Sequence, residues 1–97
     1  MNDIEPGTKK LISQTIKKHI PDAKILLFGS RIKGDFTQNS DIDIAIKCDK
    51  KIEIQLIAKI KMDLEELEIN HRIDLIDYNS VSKEFQKIID NSAIIID

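Results

Sequence analysis

Cysteine is nearly missing from this 97-residue chain: Cys48 stands alone, which excludes an intramolecular disulfide. With only two histidines beside it, a Cys/His zinc site is excluded too, and a reduced, cytoplasmic setting fits best. Aromatic residues make up 4%, so the core has to rest on isoleucine and leucine, and few rings are available for stacking nucleic-acid bases. The net charge of -2 gives no basic field of the kind duplex binding draws on, so no direct nucleic-acid partner is expected. No apolar run approaches the roughly 20 residues a membrane span needs. Residues 1–6 are acidic and polar, without a basic segment ahead of an apolar one, so neither a signal peptide nor a transmembrane helix is expected.

What is present is enough for one domain over residues 1–97, with a single core and no room for a separate acceptor-binding domain. Leu11, Ile12, Ile16 and Ile20 recur at helical spacing among lysines and predict a helix over 8–19, stopped by Pro21. Residues 24–28 read as a strand closed by Gly29, 30–33 as a short helical turn, 34–40 as a loop and 41–47 as a second strand. Leu56, Ile57, Ile60, Leu64 and Leu67 form one stripe of the longest helix, over 52–69. Residues 72–77 read as strand three, Val81, Phe85, Ile88 and Ile89 as a further helical stripe behind Ser80 as N-cap, and 93–96 as a last strand.

The chemistry concentrates in FGSRIKGDFTQNSDIDIAI. Strand side chains alternate, so Asp41 and Asp43 share a face with Ala45 while Ile42, Ile44 and Ile46 share the other. Two residues of strand separate the carboxylates by roughly 6.6 Å. At an effective dielectric of about 20 they repel by on the order of 2 to 3 kcal/mol, which calls for a cation. Magnesium suits them: it takes one or two protein carboxylates and completes its octahedron with water and substrate phosphate, and two such ions can share a bridging carboxylate. With 11 aspartates in the chain, one Asp-x-Asp pair arises by chance, so a solvated strand face is the competing reading of the pair alone. Gly29 lets backbone approach a ligand, and Ser30 offers a hydroxyl and amides to an anion. Arg31 either adds charge to that cradle or makes a surface salt bridge. Ser40 either bonds a carboxylate or begins the strand. A phosphate-binding turn beside a metal-binding pair makes the two halves of a nucleoside-triphosphate site.

GSRIKG followed by SDIDIAI, with ten residues between Ser30 and Asp41, resembles the signature of the DNA polymerase beta-like nucleotidyltransferase superfamily. More closely it is similar to the minimal nucleotidyltransferases that are antitoxin partners of HEPN-domain proteins, and the RIDLID and AIIID stretches match in order. The resemblance implies an α+β fold: a small mixed sheet of about four strands with helices packed on one face. It also implies a third carboxylate on a later strand. Asp74, in the middle of strand three, is assigned on desolvation cost and resemblance; Asp77, at the strand's end, reads more plainly as a turn or cap. Asp41, Asp43 and Asp74 are then the catalytic and metal-binding residues, and Gly29, Ser30, Arg31 and Ser40 the nucleotide-binding ones.

The implied activity is Mg2+-dependent transfer of AMP from ATP to a hydroxyl, with two ions bound alongside the nucleotide. The implied acceptor is a tyrosine of a HEPN-type ribonuclease toxin, in a hetero-oligomer with that toxin. A rival from another class is an inactive antitoxin that neutralises by contact alone, since a fold does not guarantee activity. Small-molecule adenylylation would need an acceptor domain that 97 residues do not hold, and RNA tailing fits poorly with the charge and the scarcity of aromatics.

Overall fold

The computed structural model describes residues 6–28, 42–67, 69 and 72–96. The expected turn at 30–33, the loop at 34–40, and Gly29, Ser30, Arg31, Ser40 and Asp41 lie outside them. Helix α1 spans Pro6–His19, with proline at the first helical position, where its missing N–H costs nothing. Ile12 and Ile16, one turn apart, are fully buried, whereas Leu11 at the border of the stripe is 46% exposed. Lys17, Lys18 and His19 occupy the last turn, where positive charge complements the helix dipole. Behind it, Ala23 N–H donates to Ile20 O at 3.1 Å and delivers the chain into strand β1, Lys24–Phe28.

Strand β2 is Ile42–Lys47, helix α2 Ile54–Glu65, strand β3 Ile73–Asp77, helix α3 Lys83–Ser92 and strand β4 Ile94–Ile96, with a 3-10 turn at Tyr78–Ser80. The sheet order is β3-β2-β1-β4. β1 lies antiparallel to β2 and β4, and β2 parallel to β3. A parallel pair needs a crossover, and α2 supplies it.

Helices α1 and α2 cover one face, packing Ile12, Ile16, Ile60 and Leu64 over Ile25, Leu27, Ile42, Ile44 and Ile46. The other face carries a second, smaller cluster in which Leu26, Phe28 and Ala45 meet Tyr78 and Ile89, with Phe85 set edge-on to Phe28 at 5.9 Å. The fold thus adds α3 to the face opposite the expected helical layer. The reason is in β1, whose residues 25–28 are apolar without alternation and are buried on both sides.

Three boundaries differ from expectation for local reasons. α2 begins at Ile54 rather than 52: its N-cap Glu53 is extended, and ahead of it the Ile52 N–H donates to Asp77 Oδ2 at 2.8 Å. It ends at Glu65, and the tightened bonds Leu67 N–H to Leu64 O and Ile69 N–H to Leu67 O fold the next residues back against the core. The N-cap of α3 is Ser82, whose Oγ accepts from Phe85 N–H at 3.2 Å, and not Ser80, whose hydroxyl donates to Asp77 Oδ2 at 2.8 Å. No helix among the described residues is long and apolar enough to cross a membrane.

Candidate active site

The register of the parallel pair sets Asp43 of β2 beside Asp74 of β3, and on the other side of Asp43 the antiparallel register sets Phe28, the last residue of β1. Ile42 and Ile44 point into the α1/α2 core, so alternation turns Asp43 to the opposite face, where it is half-buried. Ile73 and Leu75 likewise face α2, and Asp74 is exposed. Helix α3 covers the β1 portion of that face, so its acidic corner lies beyond the second cluster.

Adjacent strands lie roughly 4.8 Å apart. Two ionised carboxylates so placed repel by on the order of 1 to 3 kcal/mol, depending on how far solvent screens them. Their oxygens are the donor type a hard divalent cation takes, and one or two carboxylates are what magnesium asks of a protein. Among the described residues no cluster of three or more metal-ligating side chains occurs; Asp41, the remaining expected ligand, is outside them.

Asp74 is exposed and Asp77 is the buried carboxylate, at 7% exposure, so desolvation cost does not favour Asp74 as expected from the sequence. Asp77 is fully engaged as an acceptor: from Ile52 N–H at 2.8 Å, Asn79 N–H at 3.1 Å and the Ser80 hydroxyl at 2.8 Å. It caps the 3-10 turn and ties the end of β3 to the start of α2. What distinguishes Asp74 is its position beside Asp43.

Polar ties hold the ends of β2 and β3 that lie away from the acid pair. The Tyr78 hydroxyl donates to Asp90 at 2.9 and 3.0 Å, and the Lys47 ammonium sits 4.6 Å above the Tyr78 ring. Hydrogen bonding to the Asp90 carboxylate, then burial, raises the Tyr78 pKa. Across the opposite layer, His19 meets Asp63 of α2 at 2.5 Å. That bond holds the Asp63 carboxyl below its ordinary range, against an opposing push from burial.

Sequence reasoning did not single out Lys61 and Arg72. With Leu64, Leu67, Ile69, Ile73 and Asp74 they line a cavity of about 240 Å³ between the end of α2 and the beginning of β3. Each reads as an ordinary surface cation along the chain, and only the crossover brings them beside an acid of the site.

A mixed four-stranded sheet with paired acids at the start of two parallel neighbours is the arrangement expected of a nucleotidyltransferase of the polymerase beta type. The family model for polymerase beta nucleotidyltransferases matches residues 10–97, and the chain belongs to that family. It is 28% identical over 94 residues to a Haemophilus influenzae protein named "Probable protein adenylyltransferase MntA", covering 97% of this chain and 82% of that one. Among solved structures, a toxin-antitoxin with AMP-PNP matches at a TM-score of 0.77 and 25% identity, covering 90% of this chain and 70% of that one. A Shewanella oneidensis complex of a tri-AMPylated HEPN toxin with its MNT antitoxin matches in fold, with a TM-score of 0.74, 20% identity, and coverage of 95% and 71%.

Proposed function

We propose that this nucleotidyltransferase is an antitoxin that transfers AMP from ATP to a hydroxyl of a HEPN-domain toxin, a tyrosine by the family resemblance, and so silences it. The observation that carries the reading is the register that sets Asp43 beside Asp74 on this fold. It is supported by the match to a protein named as an adenylyltransferase and by neighbours that are toxin-antitoxin complexes, one with AMP-PNP and one with an AMPylated toxin.

In the transfer, the acceptor oxygen forms a bond to the α-phosphorus of ATP, the bond from that phosphorus to the α,β-bridging oxygen breaks, and pyrophosphate leaves with the electron pair. Asp74 takes the hydroxyl proton and, together with Asp43 and Asp41, would hold Mg2+; Gly29 and Ser30, with Arg31 and Ser40, seat the triphosphate. When bound, magnesium supplies charge stabilisation to the phosphates and a template for the line of attack. The added nucleotide brings bulk and negative charge to the toxin, which disfavours RNA there by steric exclusion and like-charge repulsion.

Incubation with ATP labelled at the α-phosphate, Mg2+ and the HEPN-domain partner tests the reading. Label is expected on the partner and pyrophosphate in solution. An unlabelled partner that is nevertheless neutralised at stoichiometric dose assigns the chain to inhibition by contact instead.

A further inference from the structure

The acid pair has two unlike flanks. On one, β1 ends at Phe28 opposite Asp43, and the sequence runs on into Gly29 and Ser30, the residues assigned to the triphosphate. On the other, β3 is the sheet's edge, and around that edge lies the cavity of about 240 Å³, its apolar lining on the α2 side and Asp74 at its rim. Leu64 is buried and Leu67, Ile69 and Ile73 half-buried, giving the cavity an apolar floor, while Lys61, Arg72 and Asp74 are exposed at its mouth. The Arg72 carbonyl accepts from Ile42 N–H at 2.7 Å, which fixes the arginine backbone at the acidic end of β2.

Displacement at phosphorus runs in line, with attacking and leaving oxygens on opposite sides. A triphosphate seated on the β1 flank therefore leaves the β3 flank to the acceptor. The cavity is smaller than the roughly 300 to 1,000 Å³ of small-molecule sites, so it suits one anchoring side chain and not a second nucleotide. Among the described residues, its lining sets two cations, Lys61 and Arg72, against one carboxylate, Glu65, once Asp74 is committed to the reaction.

We propose that this cavity anchors the protein acceptor: an apolar side chain of the HEPN-domain partner, close to the hydroxyl that is modified, enters the floor made by α2 and β3, and an acidic residue of the same segment pairs with Lys61 and Arg72. The proposal rests on the adenylyltransferase reading above. Lys61 and Arg72 are positioning residues here, because they hold the acceptor and touch none of the reacting atoms.

The test is the charge-reversed variant Lys61→Glu/Arg72→Glu, with label transfer measured while ATP and the HEPN-domain partner are varied in turn. Loss of these contacts is expected to raise KM for the partner about tenfold and to leave KM for ATP in place. The conservative variant Lys61→Arg/Arg72→Lys should restore the partner's KM. A photo-crosslinking residue substituted at Lys61 gives an independent reading that needs no turnover: it should capture the partner in the presence of AMP-PNP. An unchanged partner KM, a parallel rise in KM for ATP, or no crosslink to the partner overturns the proposal. A wild-type protein that never labels the partner refutes the adenylyltransferase reading itself, a result distinct from each of these.

Discussion

Exchanging the carboxylate for an amide at two positions of the same strand, Asp74→Asn and Asp77→Asn, separates chemistry from architecture. Asp74 is exposed beside Asp43, so removing its charge relieves a solvent-screened repulsion of no more than about 1 kcal/mol and leaves stability unchanged or slightly higher. The loss falls on transfer: without a base for the acceptor proton and with one acid fewer for the metal, the rate should drop by about 10²- to 10⁴-fold. Asp77 presents the opposite case. Its two oxygens accept from the Ile52 and Asn79 N–H groups and the Ser80 hydroxyl, and an amide NH2 in place of either oxygen faces a donor. One unsatisfied buried donor costs about 2 kcal/mol, which for a domain of this size lowers Tm by about 8 to 16 °C. Thermal melting followed by circular dichroism and label transfer at a temperature where both variants are folded give the two readings. An Asp74→Asn protein with full transfer activity, or an Asp77→Asn protein that melts like wild type, refutes the division of roles.

Further outcomes follow from the polar ties elsewhere in the fold. The bond from His19 depresses the Asp63 carboxyl, so its stabilisation is present above the ordinary value of 3.8 and is lost as pH falls through the lowered folded value; denaturant melts of His19→Ala and wild type should converge in that acid range and differ at pH 7. The Tyr78 phenol is shifted the other way, so its contribution is full below pH 10.0 and fades as pH rises through the raised folded value; Tyr78→Phe should cost about 1 kcal/mol in denaturant melts at neutral pH. Ser82→Ala removes the N-cap of α3 and should cost about 1 kcal/mol, whereas Ser80→Ala acts through Asp77 and leaves α3 capped; amide exchange at Phe85 distinguishes the two.

Much of the fold was legible because few residue types carry it. The spacing of Ile12 with Ile16 and of Ile60 with Leu64 identified two helices and their inward faces, and alternation at Ile42, Ile44 and Ile46 put Asp43 on the face away from them. Periodicity does not locate the edge of a stripe, which is why Leu11 read as core and is exposed. It also does not say which face of the sheet a helix covers. The packing of Phe85 on Phe28 decides that for α3, and it is a contact between residues 57 positions apart in the chain. The turn role of Asp77 was readable from Tyr78-Asn79-Ser80, but its burial was not, since that depends on the distant Ile52 N–H. Residue type and spacing proposed the acids; the register sets two of them, Asp43 and Asp74, side by side, and Asp41 lies outside the described residues. The cavity beside them was not legible, because its lining comes from two elements that only the β2-α2-β3 crossover unites.

The central claim is that Asp43 and Asp74 act together on divalent cations held with the nucleotide. Titration of Mn2+ into the protein with AMP-PNP, followed by electron paramagnetic resonance, measures it directly. About two ions should bind tightly to wild type in the presence of the nucleotide, and Asp43→Asn and Asp74→Asn should each weaken or remove at least one. Identical Mn2+ binding in all three proteins would contradict the account.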